Sequence, residues 1–368
     1  MKYYLISGEV SGDLHGANLI KALKKVDSHA QFRAWGGELM KKEGAVLVKH
    51  IKDLAFMGFW EVFLHLPSIL KNLKHCKKDI LAYQPDVIIY IDYPGFNLRI
   101  AEWAKKRHFK NHYYISPQVW AWKENRVQKI KHALDALYVI LPFEKTFYEK
   151  KHNHSVHYVG NPLIESIPNY PKDPDFLKKH KLSTSKPIVA LLPGSRSQEI
   201  KKMLPLFIEV AQHFPDYQFV VAALNTIPKN TYQSLVKNTS VKLAYEATYD
   251  LLQHSIAALV TSGTATLETA LFNIPQLVCY KTSTLTYWIA SMIIKLKYIS
   301  LVNLILDQRA LPEFIQRECT PNNLIKELKN LLQTENKSQK DLSKKLEMAL
   351  GTSKASREVA QYIYKAIH

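Results

Sequence analysis

Cysteine is scarce in this chain: three residues in 368, Cys76, Cys279 and Cys319, with no CxxC pair among them. That excludes a disulfide framework and a zinc ribbon, and it suits a reducing, cytoplasmic setting. Long hydrophobic runs are missing too. The longest candidate, LTYWIASMII, stops at Lys295, well short of the roughly 20 apolar residues that span a bilayer. The first residues enter a strand-like run, KYYLI, with no signal-peptide h-region and cleavage site, so a soluble or peripheral protein is expected. Neither GxGxxG nor GxxxxGK[ST] occurs, so no standard pyrophosphate cradle is built; HExxH and Gly-x-Ser-x-Gly are absent as well. Zinc-finger spacing, RNP-like aromatic motifs and basic-zipper heptads are lacking, and nucleic acid is not an expected partner.

Positive charge, by contrast, is plentiful: 50 Lys and Arg against 32 Asp and Glu give a formal net charge of +18. The excess is spread over both halves rather than gathered in one arm. Its densest cluster, KKRHFK at 105–110 followed by KENRVQKIK at 123–131, reads either as a phosphate-facing patch or as solvated helix faces.

Apolar runs alternate with helix-period stretches, the pattern of parallel sheets covered by helices. KYYLIS, QFRAWG, PDVIIYID, HYYISP and ALYVILP read as strands of a first unit. NPLIESIPNYPKDPD then brings four prolines, Pro162, Pro168, Pro171 and Pro174, which mark a connector. The pattern restarts with PIVALLPGSR, QFVVAAL, SIAALVTSG and QLVCY. The expected architecture is α/β, with two Rossmann-like domains facing a central cleft, residues 1–170 and 171–352. The amphipathic segment 353–368 packs across their boundary or swaps into a partner, leaving monomer and homodimer both open.

Ligands of open α/β sheets sit outside the carboxyl ends of the strands, so the loops there carry the candidates. SGEVSGDLHG, 7–16, places Gly8, Gly12 and Gly16 at four-residue spacing with Glu9, Ser11 and Asp13 between them. IDYPGFNLRI puts Asp92 at the end of the most apolar strand, where a partly desolvated carboxylate suits a general base or caps a turn, with Asn97 and Arg99 nearby. In LLPGSRSQEI, Pro193 and Gly194 shape a turn, Ser195 and Ser197 can cap, and Arg196 offers a forked donor for phosphate oxygens. VTSGTATLETALF repeats the design: Ser262, Gly263 and Thr264 leave room for a diphosphate over a helix start, and Glu268 can accept from ribose hydroxyls or cap the helix. Two such loops in one half make that half the nucleotide side. Trp120 and Trp122 serve sugar stacking or a core. His152, His154 and His157 have no metal-site spacing, and no metal or other cofactor is expected.

Residues 53–78 differ in kind. Phe56, Met57, Phe59, Trp60, Phe63, Leu64 and Leu66 crowd ahead of Lys71, Lys74, Lys77 and Lys78. Apolar bulk flanked by lysines fits a segment dipping into an anionic membrane interface, with a dimer interface or buried core as the alternative.

Taken together, SGEVSGDLHGANLIKALK, FMGFWEV, PDVIIYIDYPGFNLR, YYISPQVWAWKENRVQKI, LPFEKTFYEK, LLPGSRSQEI, SGTATLETAL and YISLVNLI resemble, in order and spacing, the lipid-A-disaccharide synthases of Gram-negative bacteria, which are GT-B glycosyltransferases. The resemblance implies transfer from UDP-2,3-diacylglucosamine to the 6-hydroxyl of 2,3-diacylglucosamine 1-phosphate, with inversion, at the cytoplasmic face of the inner membrane. It makes Asp92 the base, gives UDP to Ser195, Arg196, Ser262, Gly263, Thr264, Glu268 and Asn303, and sets Glu9, Ser11, Gly12, Asp13 and Asn97 on the acceptor side. No metal is implied. The chain departs from the family where Val10 replaces Ala, Gly95 replaces Asp and Asn161 replaces a frequent His. Rival readings are another GT-B enzyme joining a UDP-sugar to a lipid acceptor, and a non-enzymatic basic membrane- or nucleic-acid-binding protein.

Overall fold

A computed structural model describes residues 1–54, 66–122, 124–282, 297–333, 339, 341–351 and 354–368 of the chain. These form two units: Met1–Pro162 with Leu350–His368, and Leu163–Ala349.

The first unit is a parallel sheet of β1 (Lys2–Ile6), β2 (Gln31–Gly36), β3 (Val46–His50), β4 (Val87–Ile91), β5 (Asn111–Tyr114), β6 (Ala136–Val139) and β7 (His157–Tyr158), in the order β3-β2-β1-β4-β5-β6-β7. Strand order reverses between β1 and β4, the topological switch point where such sheets bind ligands. Helices α1 (Val10–Val26), α2 (Glu38–Lys42), α3 (Leu66–Tyr83), α4 (Pro94–Lys105), α5 (Val119–Trp122), α6 (Arg126–Ala133) and α7 (Pro142–Thr146) connect the strands. The β-strand period of two decides which layer each residue serves. Tyr3 and Leu5 pack under α1 with Leu19, Ile20 and Leu23, whereas Tyr4 and Ile6 pack with Leu73, Cys76 and Ile80 of α3 and Ile100 of α4. All five residues of β4 are buried, as a strand covered on both faces requires.

The C-terminal helix, Ala355–Ile367, returns to this unit and lays Ala355, Val359, Ala360 and Ile363 on the α1 layer. Burying Val359 and Ile363 is worth about 1.5–3 kcal/mol each. The Tyr158 hydroxyl donates to the Leu350 carbonyl at 2.5 Å, where the chain re-enters the unit.

The second unit repeats the plan. β8 (Ile188–Leu192), β9 (Gln218–Ala223), β10 (Lys242–Tyr245), β11 (Ser255–Thr261), β12 (Gln276–Tyr280) and β13 (Glu313–Ile315) run parallel in the order β10-β9-β8-β11-β12-β13, with the switch between β8 and β11. The helices are α8 (Ser197–Ala211), α9 (Lys229–Val236), α10 (Thr248–Gln253), α11 (Thr264–Leu271), α12 (Leu301–Leu306) and α13 (Pro321–Gln333). Val189 and Leu191 face Ile200, Met203, Leu324 and Leu328, while Ala190 and Leu192 face Leu251 and Leu252.

Two sequence expectations shift. The units part at Pro162 and Leu163 rather than at 170, and the chain returns at Leu350 rather than at 353. Residues 163–170 go with the second unit because the Tyr170 hydroxyl donates to Asp250 Oδ2 at 3.0 Å and the Gln253 amide donates to the Tyr170 carbonyl at 3.1 Å. The glycine loop is also shorter than its spacing suggests. Helix α1 begins at Val10, the Asp13 amide bonding the Glu9 carbonyl at 3.0 Å, so Gly12, Asp13 and Gly16 are helical.

Candidate active site

At the switch point of the first unit, Asp92 and Tyr93 follow β4 with φ of 46° and 51°. Two successive non-glycine residues in the left-handed region store strain that neighbours must hold. The Tyr113 hydroxyl donates to the Asp92 carbonyl. Asn97 Nδ2 donates to the same carbonyl at 2.7 Å and reaches the carbonyls of Ile91 and Ile6 at 3.4 and 3.3 Å. The Asp92 side chain is half-buried. Burial pushes its carboxyl above the ordinary range, with the Tyr93 amide working against that. A carboxyl so placed is a proton acceptor whose basicity the fold has raised.

The glycine loop packs onto this turn. A Cβ on Gly8 would lie 2.4–2.7 Å from three ring carbons of Tyr93, and one on Gly12 would lie 2.8 Å from Ser7 Cβ. The space beside both glycines is filled by the protein itself. Asp13, an acceptor-side candidate, is buried, and its carboxylate accepts from the amides of Gly37, Leu39 and Met40 at 2.7, 3.0 and 3.1 Å. It caps α2. The Asn97 Nδ2 is likewise occupied with backbone carbonyls, whereas its buried Oδ1 has no hydrogen-bond partner among the described residues. Glu9 and Ser11 stand at the open start of α1, Ser11 exposed. Gly95 is exposed, and a Cβ there would meet nothing within 4 Å.

Past β5 and β6, the Trp120 indole donates to Glu144 Oε1 at 3.2 Å and meets Phe143 edge-on at 4.8 Å. Glu144 also accepts from the amides of Ile140 and Leu141 at 3.2 and 3.0 Å. It is fully buried, which pushes its carboxyl up to about 7. Sequence reading passed over Glu144 and Tyr113; a carboxylate inside the apolar LPFEK turn is the one signal that singles either out.

In the second unit the two small-residue loops leave neighbouring strands, Leu192 of β8 pairing with Val260 of β11. Gly194 has φ +109°, and a Cβ there would strike Glu199 Oε2 at 2.5 Å. That carboxylate accepts from the Ser195 and Arg196 amides at 3.1 and 3.3 Å, and its other oxygen lies 3.4 Å from Arg196 Nη1. The anion over the start of α8 is therefore the protein's own, and Arg196, 61% exposed, extends past it. In the second loop the Ser262 hydroxyl donates to the Ile299 carbonyl at 2.8 Å, while Gly263 and Thr264 are exposed, with open space where a Gly263 Cβ would stand. Glu268 is half-buried on α11 and accepts from the Tyr249 hydroxyl at 2.8 Å; burial pushes its carboxyl up.

Asn303, expected beside the nucleotide, is engaged within the protein. It is 0% exposed, its Nδ2 donates to the Leu311 carbonyl at 2.9 Å and Glu313 Oε1 at 2.8 Å, and its Oδ1 accepts from the Leu311 amide at 2.8 Å. With both amide hydrogens and the oxygen engaged, it braces α12 against β13.

The three clustered histidines go separate ways: His152 lies 2.9 Å from Glu124, His154 meets Tyr148 edge-on, and His157 stacks on Tyr138 and Tyr362. Among the described residues no group of three or more His, Cys, Asp or Glu is arranged to hold a metal ion. Phe56, Met57, Phe59, Trp60, Phe63 and Leu64 lie outside the described residues, and Leu66 opens α3. That helix buries Leu73, Cys76 and Ile80 and exposes Leu70, Lys71, Lys74 and Lys78. No helix among the described residues is long and apolar enough to cross a membrane.

A family model described as lipid-A-disaccharide synthetase matches residues 3–367. The lipid-A-disaccharide synthase of Glaesserella parasuis serovar 5 (strain SH0165) is 38% identical over 333 residues, covering 88% of this chain and 86% of its own. That of Coxiella burnetii (strain CbuG_Q212) is 34% identical over 370 residues, covering 99% of this chain and 98% of its own. Among solved structures, the UDP-GlcNAc 2-epimerase of Neisseria meningitidis bound to UDP-GlcNAc gives a TM-score of 0.68 at 14% identity, covering 99% of this chain and 100% of that one. The structural likeness carries the two-domain GT-B fold, and the sequence likeness carries more: the chain belongs to the lipid-A-disaccharide synthase family of glycosyltransferases.

Proposed function

We propose that the chain transfers 2,3-diacylglucosamine from its UDP conjugate to the 6-hydroxyl of 2,3-diacylglucosamine 1-phosphate, with inversion. The observation that carries this reading is the strained, half-buried turn that presents Asp92 at the switch point of the first unit. Asp92 takes the proton of the acceptor 6-hydroxyl as that oxygen attacks the anomeric carbon. The bond from that carbon to the diphosphate breaks, and UDP leaves with the electron pair. The products are a β-1′,6-linked disaccharide 1-phosphate and UDP.

Charge developing on the diphosphate is met in the second unit by Arg196, by Ser195 and by the Ser262–Gly263–Thr264 loop at the start of α11, and Glu268 takes the ribose hydroxyls. A charge-assisted bond of this kind contributes about 1.5–3 kcal/mol. Glu9 and Ser11 serve the acceptor sugar. Both substrates carry acyl chains, and exposed Leu70 with Lys71, Lys74 and Lys78 on α3 supports binding to an anionic membrane surface; in this reading the enzyme works peripherally, on the cytoplasmic face of the inner membrane.

The test is turnover of the two lipid substrates in detergent by wild type and Asp92→Ala. Disaccharide formed by wild type and reduced at least roughly a hundredfold in the variant, with UDP affinity unchanged, is the expected result. Equal rates would remove Asp92 as the base. No disaccharide from wild type, despite UDP binding, would assign the scaffold to a different acceptor.

A further inference from the structure

Glu313 opens β13, the edge strand of the second sheet, and is only 8% exposed. Its carboxylate is held by N–H donors: Oε1 accepts from the Ser300 amide at 2.9 Å and Asn303 Nδ2 at 2.8 Å, and Oε2 accepts from the Ile299 amide at 3.0 Å. Among the described residues no Lys, Arg or His forms an ion pair with it. A buried carboxylate without a cation persists only where such donors replace its water.

The chain of contacts runs on. Ile299, whose amide Glu313 holds, accepts the Ser262 hydroxyl on its carbonyl at 2.8 Å. The Ser262 amide in turn bonds the carbonyl of Cys279 at 2.9 Å, one strand away on β12. Ser262 is thus fixed on one side by the sheet and on the other by a segment that Glu313 fastens. Ser300 and Asn303 close the brace, the Ser300 hydroxyl accepting from the Asn303 amide at 3.2 Å.

We infer that Glu313 is a positioning residue of the donor half, fixing the Ser262–Gly263–Thr264 loop through Ile299 so that the loop meets a nucleoside diphosphate in one geometry. This rests on the donor role proposed above for that loop. Glutamine is nearly isosteric but replaces one acceptor oxygen with an NH2 group that would face backbone N–H donors, so Glu313→Gln breaks the brace without removing bulk.

The experiment measures UDP binding by calorimetry and KM for each lipid substrate in wild type, Glu313→Gln, Ser262→Ala and the double variant, with circular dichroism to verify folding. The expected result is UDP affinity weakened about tenfold or more in Glu313→Gln, a matching rise in donor KM, and acceptor KM within about twofold of wild type. The double variant should lose no more than the worse single one, because both substitutions cut the same chain. Folded Glu313→Gln with wild-type UDP affinity, or fully additive losses, would overturn the inference. Should Glu313→Gln fail to fold, Asn303→Ala removes one donor to the carboxylate; unchanged donor constants in that folded variant would overturn it equally. Wild type that binds no UDP would instead defeat the donor-loop reading itself, and this inference with it.

Discussion

Adding one methyl group at Gly8 should disable the enzyme without touching any group that reacts. The new Cβ would lie 2.4, 2.5 and 2.7 Å from three carbons of the Tyr93 ring, against an optimum of about 3.5–4.0 Å. The ring must therefore retreat by about 1 Å. It has little freedom to do so: it stacks on Phe96 at 5.5 Å, and Phe96 is buried against Trp35 at 5.4 Å. The displacement passes instead into the backbone of Tyr93 and Asp92, already at φ 51° and 46°. Overpacking of this kind costs about 1–3 kcal/mol, and a 1 Å misplacement of a catalytic group costs about a hundredfold in rate. Gly8→Ala should thus show a kcat about a hundredfold below wild type in the detergent assay, with UDP affinity unchanged because the proposed donor loops belong to the second unit and Gly8 to the first. In a Tyr93→Ala background, which removes the ring, the same methyl should cost nothing further. Folded Gly8→Ala with kcat within about threefold of wild type, or an equal penalty in both backgrounds, would refute the reasoning.

Other outcomes follow from the same geometry. Burial raises the Glu144 carboxyl from the ordinary 4.5 to about 7, so its contribution to stability is fully present below about pH 4.5 and lost as pH rises through 7. The loss is on the order of 3 kcal/mol. Urea titrations at pH 5 and 8 should show this slope in wild type and a flatter one in Glu144→Gln, and equal slopes would contradict the assignment. Gly194→Ala, at φ +109° and against Glu199, should lower stability by about 1–3 kcal/mol and weaken UDP in calorimetry while leaving acceptor KM unchanged.

The fold was legible wherever the signal is local. VIIYI at 87–91 announces a strand buried on both faces, and the glycine and hydroxyl clusters at 193–197 and 261–264 mark where strands turn into helices at the second switch point. The boundary between units was less legible because prolines mark where a chain bends, not which side its flanks pack on. Tyr170 belongs with Asp250 and Gln253, eighty residues and more downstream. The site shows the same limit more sharply. Asp13 and Asn303 have the right residue types in the right loops for sugar and nucleotide, yet Asp13 caps α2 and Asn303 answers Leu311 and Glu313. A sequence displays a polar side chain but not the partner that engages it.

A division of labour among the motif residues follows from those partners. Each loop at the carboxyl edges is stiffened by a polar side chain whose hydrogen bonds are spent on backbone. Asn97 holds the Asp92 turn, Glu199 the Ser195–Arg196 amides and Glu313 the Ile299–Ser300 segment under Ser262. A donor hydrogen or lone pair committed in this way binds substrate only by giving up a bond worth about 1 kcal/mol or more, and substantially more where the group released is buried. The direct roles in the proposed reaction fall to a second set that includes Asp92 with its raised basicity, exposed Arg196, the exposed start of α11 at Gly263 and Thr264, Glu268, and Ser11 beside Glu9. Substitutions in the first set should therefore act through loop geometry and be coupled to their backbone partners, whereas substitutions in the second should act on the reaction directly and leave stability nearly unchanged.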